Sequence, residues 1–147
     1  MRSELPMILV RAIVGLVFIL EGLLKFLQPT VYGTSNFSAL GLPFPHILAP
    51  LVGGVEIAGG LAVLFNFFAG DAALGLALVM LAALATTKMP ILLGRSFGPF
   101  PFSPASGSGW LAFLHAARVD LAMLISSLAI CIDSGLQMGR QRRWYQP

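Results

Sequence analysis

Four long apolar segments constrain this chain more than any other feature of its sequence. A helix that crosses the hydrocarbon core of a bilayer needs about 20 mainly apolar residues, and its backbone polar groups must bond within the helix because lipid offers them no partner. The 147-residue chain has four such segments, and we predict helices over residues 6–27, 46–68, 71–93 and 110–132. With 57% hydrophobic and 10% charged residues, the composition is that of a membrane protein. We therefore predict an all-α fold, an integral membrane four-helix bundle.

The connections between these segments are of two kinds. The second and third segments are separated by little more than Ala69-Gly70, which forces an antiparallel hairpin. Asp71 is the predicted N-cap of the third helix, and Asp133-Ser134-Gly135 is predicted to stop the fourth. The other two connections, from Gln28 to His46 and from Gly94 to Gly109, are long and rich in proline, glycine and phenylalanine. We predict that both of these loops lie at the same end of the bundle.

Basic residues predict the orientation of the bundle. Three arginines between residues 140 and 143 follow the last apolar segment, and Arg2 precedes the first, whereas the two long loops carry only Arg95. Basic residues that flank membrane helices favour the cytoplasmic side. We therefore predict that both termini are cytoplasmic and that residues 133–147 form a basic cytoplasmic tail beside anionic lipid. The two long loops then face outward, which in a bacterium means that the protein lies in the inner membrane with these loops in the periplasm. Nucleic acid is set aside as a partner because most of the chain would lie in lipid.

Charged residues inside the first apolar segment point to a polar inner face. Arg11, Glu21 and Lys25 fall within about an 80° arc of one helix face. A charge at bilayer depth costs roughly 2.5–3.5 kcal/mol on insertion scales, so it is expected to face protein, water or a partner charge. Glu21 and Lys25 are four residues apart with the acid first, which is the favourable order for an ion pair. Two interpretations remain open at this point, a structural charge pair that joins helices and a ligand or proton site.

The second segment carries a single acid among small residues. Gly53, Glu56 and Gly60 share one helix face, and small residues let helices approach closely. Glu56 is therefore interpreted either as part of a packing seam, in which it bonds across the interface, or as the partner of Lys25 or Arg11 at a ligand pocket. In the third segment Lys88 is placed on a different face from the small residues, and we predict that it snorkels to the headgroups.

The fourth segment carries a histidine and an arginine on one helix face. His115 and Arg118 share a face, from which Asp120 is rotated by well over 100°. His115 is interpreted either as a proton relay or as a satisfied interface histidine. His46 raises the alternative of haem ligation together with His115, but no spacing in the sequence supports it, and no metal site is predicted. Cys131 is the only cysteine, so a disulfide or a redox pair within one chain is excluded.

The pattern of the first two segments resembles the DoxX family of small four-helix bacterial membrane proteins. The matching stretches are the run from Arg11 to Phe26, with its Gly15, Gly22 and Lys25, the turn Leu40-Gly-Leu-Pro43, and the run from Val55 to Leu64, which is followed by Ala72-Ala73-Leu74. The resemblance covers about the first two-thirds of the chain. It implies one DoxX-like transmembrane domain over residues 1–147, with Arg11, Lys25 and Glu56 as the shared intramembrane polar set.

The resemblance also implies a role in membrane redox chemistry, because the family is named for a subunit of a membrane thiosulfate:quinone oxidoreductase. A quinone needs donors for its carbonyls, protonatable groups for its reduced form and apolar walls for its tail. The candidate ligand-binding residues are Arg11, Glu21, Lys25, Glu56, His115 and Arg118.

The leading hypothesis for function is the membrane subunit of a quinone-linked redox complex. The chain itself carries no evident cofactor, so electrons would come from elsewhere, and quinone is the expected ligand. The alternative is a non-catalytic accessory, assembly or stabilising subunit of a larger membrane complex. The sequence leaves open whether the chain is an enzyme. The expected partners are the lipid bilayer and either other membrane subunits or further copies of this chain.

Overall fold

Helices make up nearly all of the regular structure. The structure is a computed structural model that describes the backbone of residues 5–144 and the side chains of residues 5–136. Its elements are α1 (Leu5–Leu27), α2 (Thr34–Ala39), α3 (Pro45–Leu64), α4 (Ala69–Ala83), a π-helical turn (Leu84–Lys88), α5 (Met89–Leu93), a 3-10 turn (Pro104–Ser106) and α6 (Trp110–Trp144). Among the described residues, four segments are long and apolar enough to span a membrane, namely Leu5–Leu27, Pro45–Leu64, Ala69–Leu93 and Trp110–Leu136. The predicted all-α four-helix membrane bundle is confirmed.

Two predicted helix boundaries are wrong at the turn between the second and third spans. α3 ends at Leu64 instead of Phe68, because Asn66 and Phe68 take left-handed backbone angles with φ of 57° and 47°. α4 then begins at Ala69, so Asp71 lies inside its first turn and Phe68, not Asp71, is the N-cap residue. An acid in the first turn is still favourable, since it faces the positive end of the helix dipole.

The predicted stop of the fourth span is also wrong. Asp133-Ser134-Gly135 lies within α6, which continues to Trp144. A glycine ends a helix by adopting a left-handed conformation, and Gly135 is not among the residues with positive φ. Asp133 bonds to Arg11 of α1 at 3.2 Å instead of capping a turn. This polar triplet is therefore part of the helix, and its acid joins α6 to α1.

Glycines allow α1 and α3 to pack with their backbones in contact. A Cβ atom at Gly15 would lie 2.7 Å from the carbonyl oxygen of Gly60, and one at Gly22 would lie 2.6 Å from that of Gly53. Both separations are shorter than any real carbon–oxygen contact, so only glycine fits at these points. Membrane helices gain van der Waals contact through such close approach, because lipid supplies no hydrophobic force between them. The α1–α3 contact is the most extensive between any two helices.

The apolar core occupies one half of the bundle. The end that carries residues 28–44 and 94–109 is called here the loop end, and the end that carries Leu5, the turn 65–68 and Leu136 is called the terminal end. The core lies between the middle and the terminal end, and its buried members are Val14, Phe18, Val63, Ala69, Ala73, Leu76, Met80, Met123 and Ile130. Leucine, isoleucine and phenylalanine side chains on the outside of the helices are exposed and suited to lipid. The loop half is left with less apolar filling.

Candidate functional site

A cavity of about 500 Å³ lies in the loop half of the bundle. Its walls come from all four spans, and its floor is formed by core residues such as Phe18, Met80 and Met123. Most of the wall is apolar. The volume falls within the range of roughly 300–1,000 Å³ that is typical of small-molecule sites.

The first long loop covers the cavity. Tyr32, Asn36 and Phe37 line it from above, together with Leu40 and Leu42. The two long loops also meet each other, since a Cβ atom at Gly41 would lie 2.7 Å from the carbonyl oxygen of Pro99, and Gly41 has a φ of 72° that suits glycine. The loops are therefore part of the folded bundle, and α2 acts as the roof of the cavity.

Lys25 and Glu56 form a buried ion pair in the cavity wall. Lys25 Nζ lies 2.7 Å from Glu56 Oε2, and the two side chains are 11% and 3% exposed. Lys25 Nζ also donates to the backbone carbonyl of Glu21 at 3.4 Å. The close approach of Gly22 to Gly53, about one turn from each charged residue, brings the two side chains together. Of the alternatives open from the sequence, the structure pairs Glu56 with Lys25 and not with Arg11.

A second ion pair lines the same cavity. Lys88 Nζ lies 3.6 Å from Asp120 Oδ2, and the side chains are 24% and 25% exposed. Both residues line the cavity. The prediction that Lys88 snorkels to the headgroups is therefore wrong. The 3.6 Å separation is longer than a hydrogen bond, so this pair is looser than that of Lys25 and Glu56.

The π-helical turn explains the position of Lys88. Pro90 has no N–H to donate to the carbonyl four residues earlier, so the regular α-helical ladder is interrupted there. The hydroxyl of Thr86 donates to the Ala82 carbonyl at 2.9 Å, and that of Thr87 donates to the Ala83 carbonyl at 2.6 Å. A π turn takes more residues than an α turn, so the side chains within it depart from the regular period of 3.6 residues. Thr86, Thr87 and Lys88 consequently all line the cavity.

Glu21 is the remaining charged residue of the cavity wall. Its carboxylate has no ion-pair or hydrogen-bond partner among the side chains that the structure describes, because Lys25 is bound to Glu56 and only the backbone carbonyl of Glu21 accepts from Lys25. The cavity thus contains one acid whose acceptor atoms are open to a ligand or to water.

The other three candidate residues lie away from the cavity. Arg11 bonds to Asp133 near the terminal end, on the opposite side of the apolar core. His115 and Arg118 are exposed on α6, where the Arg118 guanidinium donates to the carbonyl of His115. The structure therefore brings Glu21, Lys25 and Glu56 together at the cavity and separates Arg11, His115 and Arg118 from them.

Sequence reasoning missed most of the polar lining. Asp120, Lys88, Thr86 and the roof residues were absent from the candidate set. For Asp120 a signal was present, because it shares a helical stripe with the small residues Ala117 and Ser127, and the structure buries both of them. For Lys88 no pattern based on 3.6 residues per turn finds the right face, since the π turn breaks that period.

Comparison with known proteins identifies the family. The DoxX family model matches residues 7–89. The chain belongs to the DoxX family. An uncharacterized membrane protein of Mycobacterium tuberculosis, Rv3486, is 38% identical to this DoxX chain over 118 residues, which cover 80% of this chain and 68% of that protein. No solved structure matches the chain.

The family match and the four spans together make this chain a membrane protein of the DoxX family, embedded in a lipid bilayer. The matched region contains Glu21, Lys25, Glu56 and Lys88, and so three of the four cavity walls. The fourth wall, with Asp120, comes from α6, which lies beyond it.

Proposed function

We propose that this DoxX protein is the membrane subunit of a quinone-linked redox complex and that it binds a quinone-like molecule in the cavity of the loop half. The observation that carries the proposal is that a mainly apolar cavity of about 500 Å³ receives two lysine–carboxylate pairs from different helices. A ring with polar atoms at its edge and an apolar face matches such a lining.

The residues present fit a quinone head group. Lys25 and Lys88 supply ammonium donors, and Tyr32 and Asn36 add a hydroxyl and an amide from the roof. A quinone carbonyl accepts hydrogen bonds, and donors in an apolar, water-poor site bind it more strongly than donors in water. When it is bound, the quinone supplies the capacity to carry two electrons and two protons. Glu56 and Asp120, each held by a lysine, are the groups that take or give protons at the cavity wall.

A path for an apolar tail supports the same proposal. Leu78 and Val119 line the cavity and are also 59% and 57% exposed, so they lie at its margin and not in its depth. The contact between α1 and α6 is much smaller than that between α1 and α3. A tail that leaves the cavity between α1 and α6 would reach lipid directly, as the apolar tail of a membrane quinone requires.

Orientation and location are part of this proposal. With both termini cytoplasmic in a bacterial inner membrane, the loop end and its cavity face the periplasmic half of the bilayer. A partner subunit that donates or accepts electrons then docks at the loop end, close to the roof.

Filling the cavity tests the proposal without removing any charge. Ala83 lines the cavity, whereas Ala58 is exposed on α3 and does not. We expect native mass spectrometry of wild-type protein, gently extracted from its own membranes, to show an adduct of quinone mass. Ala83→Phe should reduce the fraction of protein that carries the adduct by roughly tenfold or more. The new ring overlaps the ligand, and the surrounding side chains cannot shift to make room for both without an energetic cost. The matched Ala58→Phe variant should retain it.

The same measurement separates the alternative function. If wild-type protein carries no small molecule and is bound only to other polypeptides, the quinone proposal is wrong and the accessory-subunit role replaces it. An adduct that persists in Ala83→Phe would place the ligand elsewhere on the protein.

A further inference from the structure

The charges in the cavity do not balance. Three carboxylates, those of Glu21, Glu56 and Asp120, line it together with two ammonium groups, those of Lys25 and Lys88. Each lysine is within 4 Å of one carboxylate, Lys25 of Glu56 at 2.7 Å and Lys88 of Asp120 at 3.6 Å. The acid left over is Glu21.

Lys25 pairs with the carboxylate of Glu56 and not with that of Glu21. Glu21 and Lys25 are one turn apart on α1, and Lys25 Nζ donates to the Glu21 backbone carbonyl and contacts Glu56. The Glu21 side chain lines the cavity, and no described side chain bonds to its carboxylate. A hydrogen bond from a ligand to a carboxylate is stronger in a low-dielectric site than in water, so a donor that reaches Glu21 is bound favourably.

A carboxylate distinguishes the two redox forms of a quinone. An ionised carboxylate only accepts hydrogen bonds. The hydroxyl of a hydroquinone donates, and an O–H···O⁻ bond is short and about twice as strong as a neutral one. The carbonyl of the oxidised quinone offers only lone pairs, which the carboxylate repels.

We infer that Glu21 makes the cavity selective for the reduced, hydroxyl-bearing form of its ligand, so that this protein binds a hydroquinone in preference to the quinone. The inference rests on the proposed function and adds to it a specificity-determining residue and the redox form of the ligand. It concerns binding alone, and it assigns no electron transfer to this chain.

The test is a pair of binding measurements on the full-length protein in nanodiscs. A short-tail benzoquinone and its hydroquinone are titrated separately by isothermal calorimetry, under anaerobic conditions that keep the hydroquinone reduced. We expect wild-type protein to bind the hydroquinone roughly tenfold or more tightly than the quinone. Glu21→Ala should bring the ratio close to one by weakening hydroquinone binding, with quinone binding unchanged or improved. Glu21→Gln keeps an amide acceptor but loses the charge. Its ratio of hydroquinone to quinone affinity should lie between those of the wild type and Glu21→Ala.

Two controls separate this inference from a structural effect and from the proposed function. Asp71→Asn removes an exposed acid outside the cavity and should leave the ratio unchanged. A structural loss in Glu21→Ala would weaken both ligands equally, whereas the inference requires the hydroquinone alone to weaken. Equal affinity of wild-type protein for both forms, or a ratio that Glu21→Ala does not alter, overturns this inference and leaves the quinone site standing. Binding of neither form to the wild-type protein overturns both.

Discussion

Lys25→Ala is expected to destabilise the bundle by about 3–5 kcal/mol, because it leaves the Glu56 carboxylate buried without its counter-charge. The Glu56 side chain is only 3% exposed and its partner nitrogen lies 2.7 Å away. Removing one member of a buried pair costs more than the pair contributes, since the remaining charge keeps its full desolvation penalty. The free energy of unfolding is measured by SDS titration in mixed micelles, with the loss of helical circular dichroism as the signal.

Two companion variants make this prediction specific to burial. Lys25→Met combined with Glu56→Met removes both charges at similar volume and should recover most of the stability, because neither charge then remains in the interior. Lys88→Ala should cost about 1 kcal/mol or less, since that pair is a quarter exposed and separated by 3.6 Å. If Lys25→Ala and Lys88→Ala destabilise the protein equally, the difference in burial between the two pairs does not govern their energetics.

Gly60→Val is the second substitution with a large expected effect. A Cβ atom at Gly60 would lie 2.7 Å from the carbonyl oxygen of Gly15 and 3.1 Å from the backbone nitrogen of Ile19. Backbone atoms of a helix cannot move aside as a side chain can, so α1 and α3 must separate. Overpacking of this kind costs about 1–3 kcal/mol. The loss of close contact between α1 and α3, which form the most extensive helix–helix contact of the described residues, adds to this free-energy cost.

The control for the glycine seam lies in the same helix. A Cβ atom at Gly54 meets nothing within 4 Å. Gly54→Val therefore introduces the same side chain without a clash, and its unfolding free energy should stay close to that of the wild type. SDS titration of both variants, with gel filtration to check that each remains monodisperse, measures the difference. A Gly60→Val protein as stable as Gly54→Val would show that α1 and α3 do not pack at backbone distance.

The seam and the cavity are linked through the same two helices. The approach of Gly22 to Gly53 sets the separation at which Lys25 meets Glu56. We therefore interpret the small-residue seam and the ligand pocket, which the sequence offered as alternatives for Glu56, as two parts of one arrangement. The glycines bring the helices close enough for the ion pair to form at the cavity wall.

The three ion pairs differ in how far the sequence predicts them. Lys25 and Glu56 were both recognisable, because each is a charge on an otherwise apolar or small-residue face, and their pairing was one of the alternatives considered. The bond from Arg11 to Asp133 joins residues 122 positions apart, and no pattern within one segment indicates such a partner. The Lys88 pair depends on the π turn before Pro90, which shifts the side chains out of the regular helical period.

Sequence alone is enough to establish the membrane class, the four helices and the presence of polar groups on their inner faces. The reason is that lipid imposes length, apolar composition and internal hydrogen bonding on each segment separately. The packing of the helices decides which charges meet, places Arg11, His115 and Arg118 away from the cavity, and leaves Glu21 without an ion-pair partner among the described side chains. Those outcomes depend on the rotation and approach of whole helices, which glycine contacts and one π turn set through space and not along the chain.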